Sequence, residues 1–160
     1  MSNNTILEYD DRNLQEWFKA MNPKNRAKVL RGMLRQESTR VLKVAKEKAT
    51  ERFGGRRDMG KGLVRTVYRD KAVGFKVGVS PKAKKAMHLN RRALLKPVLF
   101  WAAIGTGERR NRRGKRLGKM PYKGFLADTD AAVKGSVMAN MREEATKEII
   151  KIARKYGAEV

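Results

Sequence analysis

Between Asn22-Pro23 and Gly54-Gly55 the chain runs for 31 residues, Pro23 to Phe53, with the punctuation of a single long helix. Asn22 offers a side chain that caps exposed amides, Pro23 at the first helical position gives up no needed hydrogen bond, and the glycine pair supplies a left-handed stop. Ala27, Leu30, Leu34, Val41, Ala45, Ala49 and Phe53 fall on one stripe at spacings of three, four and seven. Such a helix is about 46 Å long at 1.5 Å per residue. That overhangs any compact core a chain of 160 residues can build, so part of the stripe is expected to face another subunit. The alternative is a bend or break at Gly32, where glycine weakens a helix.

A second long helix is expected after Asp128 or Thr129, its cap. Val133, Val137, Met141, Ala145, Ile149, Ile152 and Tyr156 form its stripe, and Gly157 stops it. Asp10 to Ala20, with Leu14, Trp17 and Phe18 at helical spacing, reads as a short amphipathic helix. From Gly62 the period changes to two. Leu63, Arg65, Val67 and Arg69 alternate with Val64, Thr66 and Tyr68, and Val73, Phe75, Val77 and Val79 alternate with Gly74, Lys76 and Gly78. This is a β-hairpin, with Asp70-Lys71 at the turn and Ser80-Pro81 closing the second strand. The apolar run Pro97 to Ile104 fits either a buried strand or a helical turn. The sum is one α+β domain over residues 1–160: an antiparallel sheet, the hairpin plus one or two further strands, packed against two long helices. Residues 1–13 are expected to be a flexible N-terminal segment and 108–119 an extended basic loop.

Charge narrows the function. The chain holds 39 Lys and Arg against 16 Asp and Glu, a net +23, and residues 54–127 alone hold 21 against 3. A field of that sign favours a polyanionic partner, either nucleic acid or an acidic protein surface, and opposes self-association of like faces. Seven of the cations, Arg109, Arg110, Arg112, Arg113, Lys115, Arg116 and Lys119, lie between Glu108 and Lys119, where no core can absorb them. This segment is expected to be mobile, to pivot at Gly114 and Gly118, and to order only against a partner. Its arginines suit DNA phosphates or the carboxylates of a neighbouring subunit equally, and the bland reading is a solvated loop.

Chemistry is thin by comparison. There is no cysteine and one histidine, His88, set among Lys84, Lys85, Arg91 and Arg92 as a surface histidine would be. The glycines match neither a phosphate loop nor a dinucleotide fingerprint, and no carboxylates cluster by sequence in the central region. No cofactor, metal, small-molecule substrate or catalytic activity is expected. Nor is a membrane span or secretory signal, since the longest apolar run is far short of about 20 residues and Met1 to Asp11 is polar. Leu30, Leu34, Val41, Phe53, Phe125, Leu126, Met141 and Ile149 are candidates for core or subunit contact. Trp101, beside the basic segment, is a candidate for either as well.

The order of these features resembles the tail-completion, or head-tail joining, proteins of long-tailed bacteriophages. The matching pieces are the helix Pro23 to Phe53, the strand entry Gly62-Leu63 with Arg65, Phe100 to Ile104 followed by Gly105-Thr106-Gly107, and the return Pro121 with Phe125-Leu126. The resemblance covers residues 14 to 156. It implies a small α+β protein without enzymatic activity that forms a homo-oligomeric ring, hexameric or higher, in the neck of the virion. It further implies synthesis in the bacterial host cytoplasm, contacts with other neck and tail proteins, and genomic DNA passing through the ring. The alternative from charge alone is a non-specific nucleic-acid-binding protein of the histone-like or ribosomal kind.

Overall fold

The computed structural model describes residues 21–68, 73–85 and 94–155. The expected helix Asp10 to Ala20, the flexible segment 1–13, the Asp70-Lys71 turn, His88 and the stop at Tyr156-Gly157 lie outside these residues. Helix α1 spans Pro23–Arg52 without interruption. Asn22 Oδ1 accepts from the Asn25 amide at 2.9 Å, and the far end closes as Gly54 and Gly55, both at positive φ, return their amides to Glu51 and Thr50. Gly32 does not break the helix. A side chain there would meet Glu148 Cγ at 3.0 Å, so this glycine marks the close approach of a second helix.

After a 3-10 turn, Met59–Gly62, strands β1, Leu63–Tyr68, and β2, Gly74–Val79, pair antiparallel with Leu63 opposite Val79 and Arg65 opposite Val77. The ambiguous apolar run resolves as helix α2, Leu95–Ile104. Pro97 lies in its first turn, where the missing amide has no intrahelical acceptor to serve. Leu95, Val98, Leu99 and Ala102 are buried at helical spacing. The basic segment is a second two-stranded ribbon, β3, Arg109–Arg110, and β4, Arg116–Gly118. It is separate from the hairpin, so among the described residues the hairpin's sheet gains none of the further strands expected of it.

The expected second long helix is two. Helix α3 spans Phe125–Val133 and α4 spans Val137–Lys155, divided at Gly135-Ser136, where glycine disfavours helix and the Ser136 hydroxyl donates to the Val133 carbonyl. Asp128 and Thr129 are therefore inside α3 and do not cap it. Gly124, at φ 65°, makes the entry, and the Thr129 hydroxyl donates to the Phe125 carbonyl at 2.7 Å.

Helix α1 is covered by different partners along its length. Its N-terminal part packs Val29 and Met33 against Ala145, Ile149 and Ile152 of α4. Its C-terminal part packs Ala45 and Ala49 with Met59, Leu63, Leu95, Leu99, Ala102 and Phe125. Phe53, half-buried, sets its ring 6.5 Å from that of Phe125, and Leu126 and Met120 pack on the same cluster. Two corrections follow. The overhang expected of α1 is absent, because successive elements shield it. Likewise α4 lies on α1 and contributes to neither the hairpin nor its core cluster. The stripe is also displaced at its start: Ala27 is exposed and Leu30 half-buried, while Val29 is fully buried, since α4 approaches on the Val29 side.

A polar belt separates the two clusters. Glu37, 2 % exposed, accepts from Arg40 at 3.1 Å, and Arg40 donates in turn to Ser136 at 2.7 Å. Near the end of α1, Arg52 Nε donates to Asp128 Oδ2 at 2.7 Å and ties α1 to α3.

Gly62 is the tightest point of the larger core. A Cβ there would strike Leu99 and stand 2.8 Å from Leu95 Cδ2, both buried side chains with no room to retreat. Gly62→Ala is expected to cost about 1–3 kcal/mol, read as a lower urea midpoint at unchanged slope. The Asp128 carboxyl is held below its ordinary 3.8 by the Arg52 hydrogen bond first, against the opposing effect of burial. A depressed folded value means stability present above 3.8 and lost as pH falls through the folded value. Asp128→Asn should thus lower the urea midpoint near neutral pH, and its deficit should shrink as pH falls below 3.8 and vanish only below the lowered folded value.

Candidate interaction surface

The ribbon 108–119 is built by a short polar side chain. Asn111 Oδ1 accepts from the amides of both Arg113 and Lys115 at 2.9 Å, and the Asn111 amide donates to the Lys115 carbonyl at 3.0 Å. Gly114 and Gly118, at φ 75° and 74°, provide the left-handed bends. Arg112 and Arg113 thereby stand at the tip. At the base, Thr106 and Met120 clamp the two arms: the Thr106 amide donates to the Met120 carbonyl at 3.0 Å and the Met120 amide to Thr106 Oγ1 at 2.9 Å. Lys123 donates its amide to the Ala102 carbonyl at 2.7 Å and seats the return on the end of α2.

Where an extended loop is expected, the structure has a short self-paired ribbon. The segment pairs with itself because an Asx-type turn and a two-residue clamp satisfy its backbone without any partner. Arg109 folds inward, its guanidinium 4.8 Å from the Trp101 ring centroid, which also explains why Trp101 is half-buried. Arg116 stands 4.0 Å from Glu108. Among the described residues Arg110, Arg112, Arg113, Lys115 and Lys119 make no side-chain ion pair, and all are exposed.

Beside the ribbon, α2 is apolar almost all round but covered on one side only. Phe100 and Ile104, four residues apart and so on one flank, are 52 % and 62 % exposed. Leu117 of the ribbon and Tyr122 of the return are exposed as well. Of the residues assigned from sequence to core or subunit contact, Leu34, Val41, Phe125 and Ile149 are buried, and Leu30, Phe53, Trp101, Leu126 and Met141 are half-buried. Large apolar side chains left exposed among the described residues include Tyr68, Val73, Leu94 and Met138 elsewhere and, on one flank of α2, Phe100 and Ile104. The strand-or-helix ambiguity of the Pro97 to Ile104 run hides the exposed pair of α2 from sequence reading, since a strand and a helix would expose different members.

Two grooves flank α1. One, of about 480 Å³, is lined by Lys43, Lys46, Glu47, Thr50, Glu51, Arg57, Gly60 and Lys61. The other, of about 330 Å³, is lined by Arg31, Arg35, Arg65 and Val67. Sequence reasoning passed over this arginine group because its members are 30 residues apart. Among the described residues no group of three His, Asp or Glu stands close enough to hold a metal, and no helix is long and apolar enough to cross a membrane. No family model, curated protein or solved structure matches the chain.

The Arg109–Trp101 contact is worth about 0.5–1 kcal/mol at such an exposed site. Trp101→Leu should therefore raise the open population of the ribbon about two- to fivefold, seen as faster tryptic cleavage between Arg109 and Lys119 by mass spectrometry.

Proposed function

We propose that this protein is a structural component of a tailed-phage virion, a ring subunit of the head-tail neck that completes the tail and joins it to the capsid connector around the DNA channel. The observation that carries the reading is the pairing of an uncovered apolar flank on α2, Phe100 and Ile104, with a self-paired cationic ribbon rooted at the end of the same helix. A protomer so finished on one side of α2 and unfinished on the other is suited to a repeating heterologous contact. A contact of that type closes into a ring when its rotation allows. The occupant of the apolar flank is a second copy of the chain, and the ring is hexameric or higher. The ribbon, with five unpaired cations, docks the carboxylates of an adjoining neck or tail protein.

Net charge sets the conditions of assembly. At +23 per subunit an isolated ring repels itself, so closure requires salt or a counter-charged neighbour. The protein has no part in catalysis under this reading. It is made in the host cytoplasm and resides in the virion neck.

Phage particles lacking the protein should appear by electron microscopy as separate heads and tails. Joined, infectious particles would overturn the proposal. Replacing Phe100 and Ile104 together by Asp should leave a folded monomer by circular dichroism that neither assembles nor restores joining.

A further inference from the structure

Strand β1 turns Leu63, Arg65 and Val67 toward α1, and their cross-strand partners Val79, Val77 and Phe75 share that face. Five of the six are apolar, and Arg65 is the exception. Its guanidinium does not reach for an acid. Nη1 donates to the Arg35 carbonyl at 3.0 Å and to Ser38 Oγ at 2.8 Å, and so the planar group is fixed against α1. Arg31 and Arg35, one helical turn apart, complete the lining of the 330 Å³ pocket with Val67. Among the described residues no carboxylate lines it, and neither Arg31 nor Arg35 makes an ion pair.

Three guanidiniums collected with no counter-charge among the described residues repel one another, an arrangement that an oxyanion relieves. The fork of a guanidinium matches two oxygens of a phosphate, and prior anchoring of Arg65 reduces the ordering cost of binding. The surroundings select the source of that phosphate. Lys46, eleven residues or three turns beyond Arg35, lies on the same side of α1 about 17 Å away, where it lines the second groove with Lys43, Arg57 and Lys61, and these four cations outnumber the two acids there, Glu47 and Glu51. Cations repeated along one flank suit a polymer that offers a charge about every 3.4 Å along each strand.

We propose that the Arg31–Arg35–Arg65 pocket binds a backbone phosphate of duplex DNA, with α1 lying along the strand. Arg65 is the fixed element of the site, and Arg31 and Arg35 close on the phosphate from the helix. Binding is indifferent to base sequence, because only phosphate oxygens are read. The site belongs to the single chain and holds whether or not that chain assembles into a ring.

The test is fluorescence anisotropy of a labelled random-sequence duplex with the full chain, between about 50 and about 200 mM salt. The variant carrying Arg31→Gln and Arg35→Gln is compared with a charge-matched control, Lys134→Gln with Lys155→Gln, at exposed positions away from both grooves. The expected result is an affinity loss of about tenfold and a salt slope reduced by about one for the arginine variant, with a much smaller change in the control. Equal losses in both would mean that net charge alone governs binding and would overturn the site. So would unchanged duplex affinity accompanied by lost binding to poly-glutamate, which would give the pocket to protein carboxylates. Arg65→Lys keeps the charge but removes the fork and its two anchoring hydrogen bonds, and should weaken duplex binding under conditions where its urea curve shows the chain still folded. If that variant unfolds, the pair at Arg31 and Arg35 decides alone.

Discussion

A helix about 45 Å long in a chain of 160 residues must find cover along its whole length, and no other element here is long enough to provide it. The molecule meets this by dividing α1 between two clusters. Helix α4 covers Val29 at one end, the hairpin, α2 and α3 cover Ala45 and Ala49 at the other, and the Glu37–Arg40–Ser136 belt fills the interval. Small residues make the division possible. Gly32 admits Glu148, Gly62 admits Leu95 and Leu99, and the alanines at 45 and 49 let the larger core close on the helix backbone. Helix α1 is in this sense the scaffold, and each other element is placed by the part of it that it covers.

Electrostatics divides the same way. The acids of α4 are matched within the helix itself, Glu143 and Glu144 by Lys147 and Glu148 by Lys151. Asp128 is taken by Arg52 and Glu37 by Arg40. Little negative charge is left over for residues 54–127, so the excess of cations there faces outward, on the ribbon and in the pocket beside β1. The ribbon offers its charge on a braced hairpin and the pocket offers it on a fixed guanidinium. In both, backbone and hydroxyl oxygens orient arginines, Arg109 and Arg65, that no carboxylate among the described residues pairs with.

The pieces of the fold with strong local signals were legible. The limits of α1 follow from Asn22-Pro23 and Gly54-Gly55, and the hairpin from its alternating pattern, because caps and strand periodicity are local physics. What failed did so where the answer is not local. Pro97 to Ile104 has the length and greasiness of either element, and only its docking against Leu63 and Met59 makes it a helix. The break at Gly135-Ser136 interrupts an apolar stripe that reads straight through it. The basic segment was expected to be loose because charge was counted and the Asn111 turn was not. The site was legible only in its ribbon half, since Arg31 and Arg65 become neighbours through tertiary packing.

By itself the sequence determined the α+β class, the positions where the helix α1 and the hairpin begin and end, and an excess of positive charge concentrated in residues 54–127. These depend on residue type and spacing along the chain. Tertiary structure alone decided which apolar surface stays uncovered and which arginines stand together. Both are properties of distance between segments remote in sequence, and those distances are set by how α4, α2 and β1 share the length of one helix.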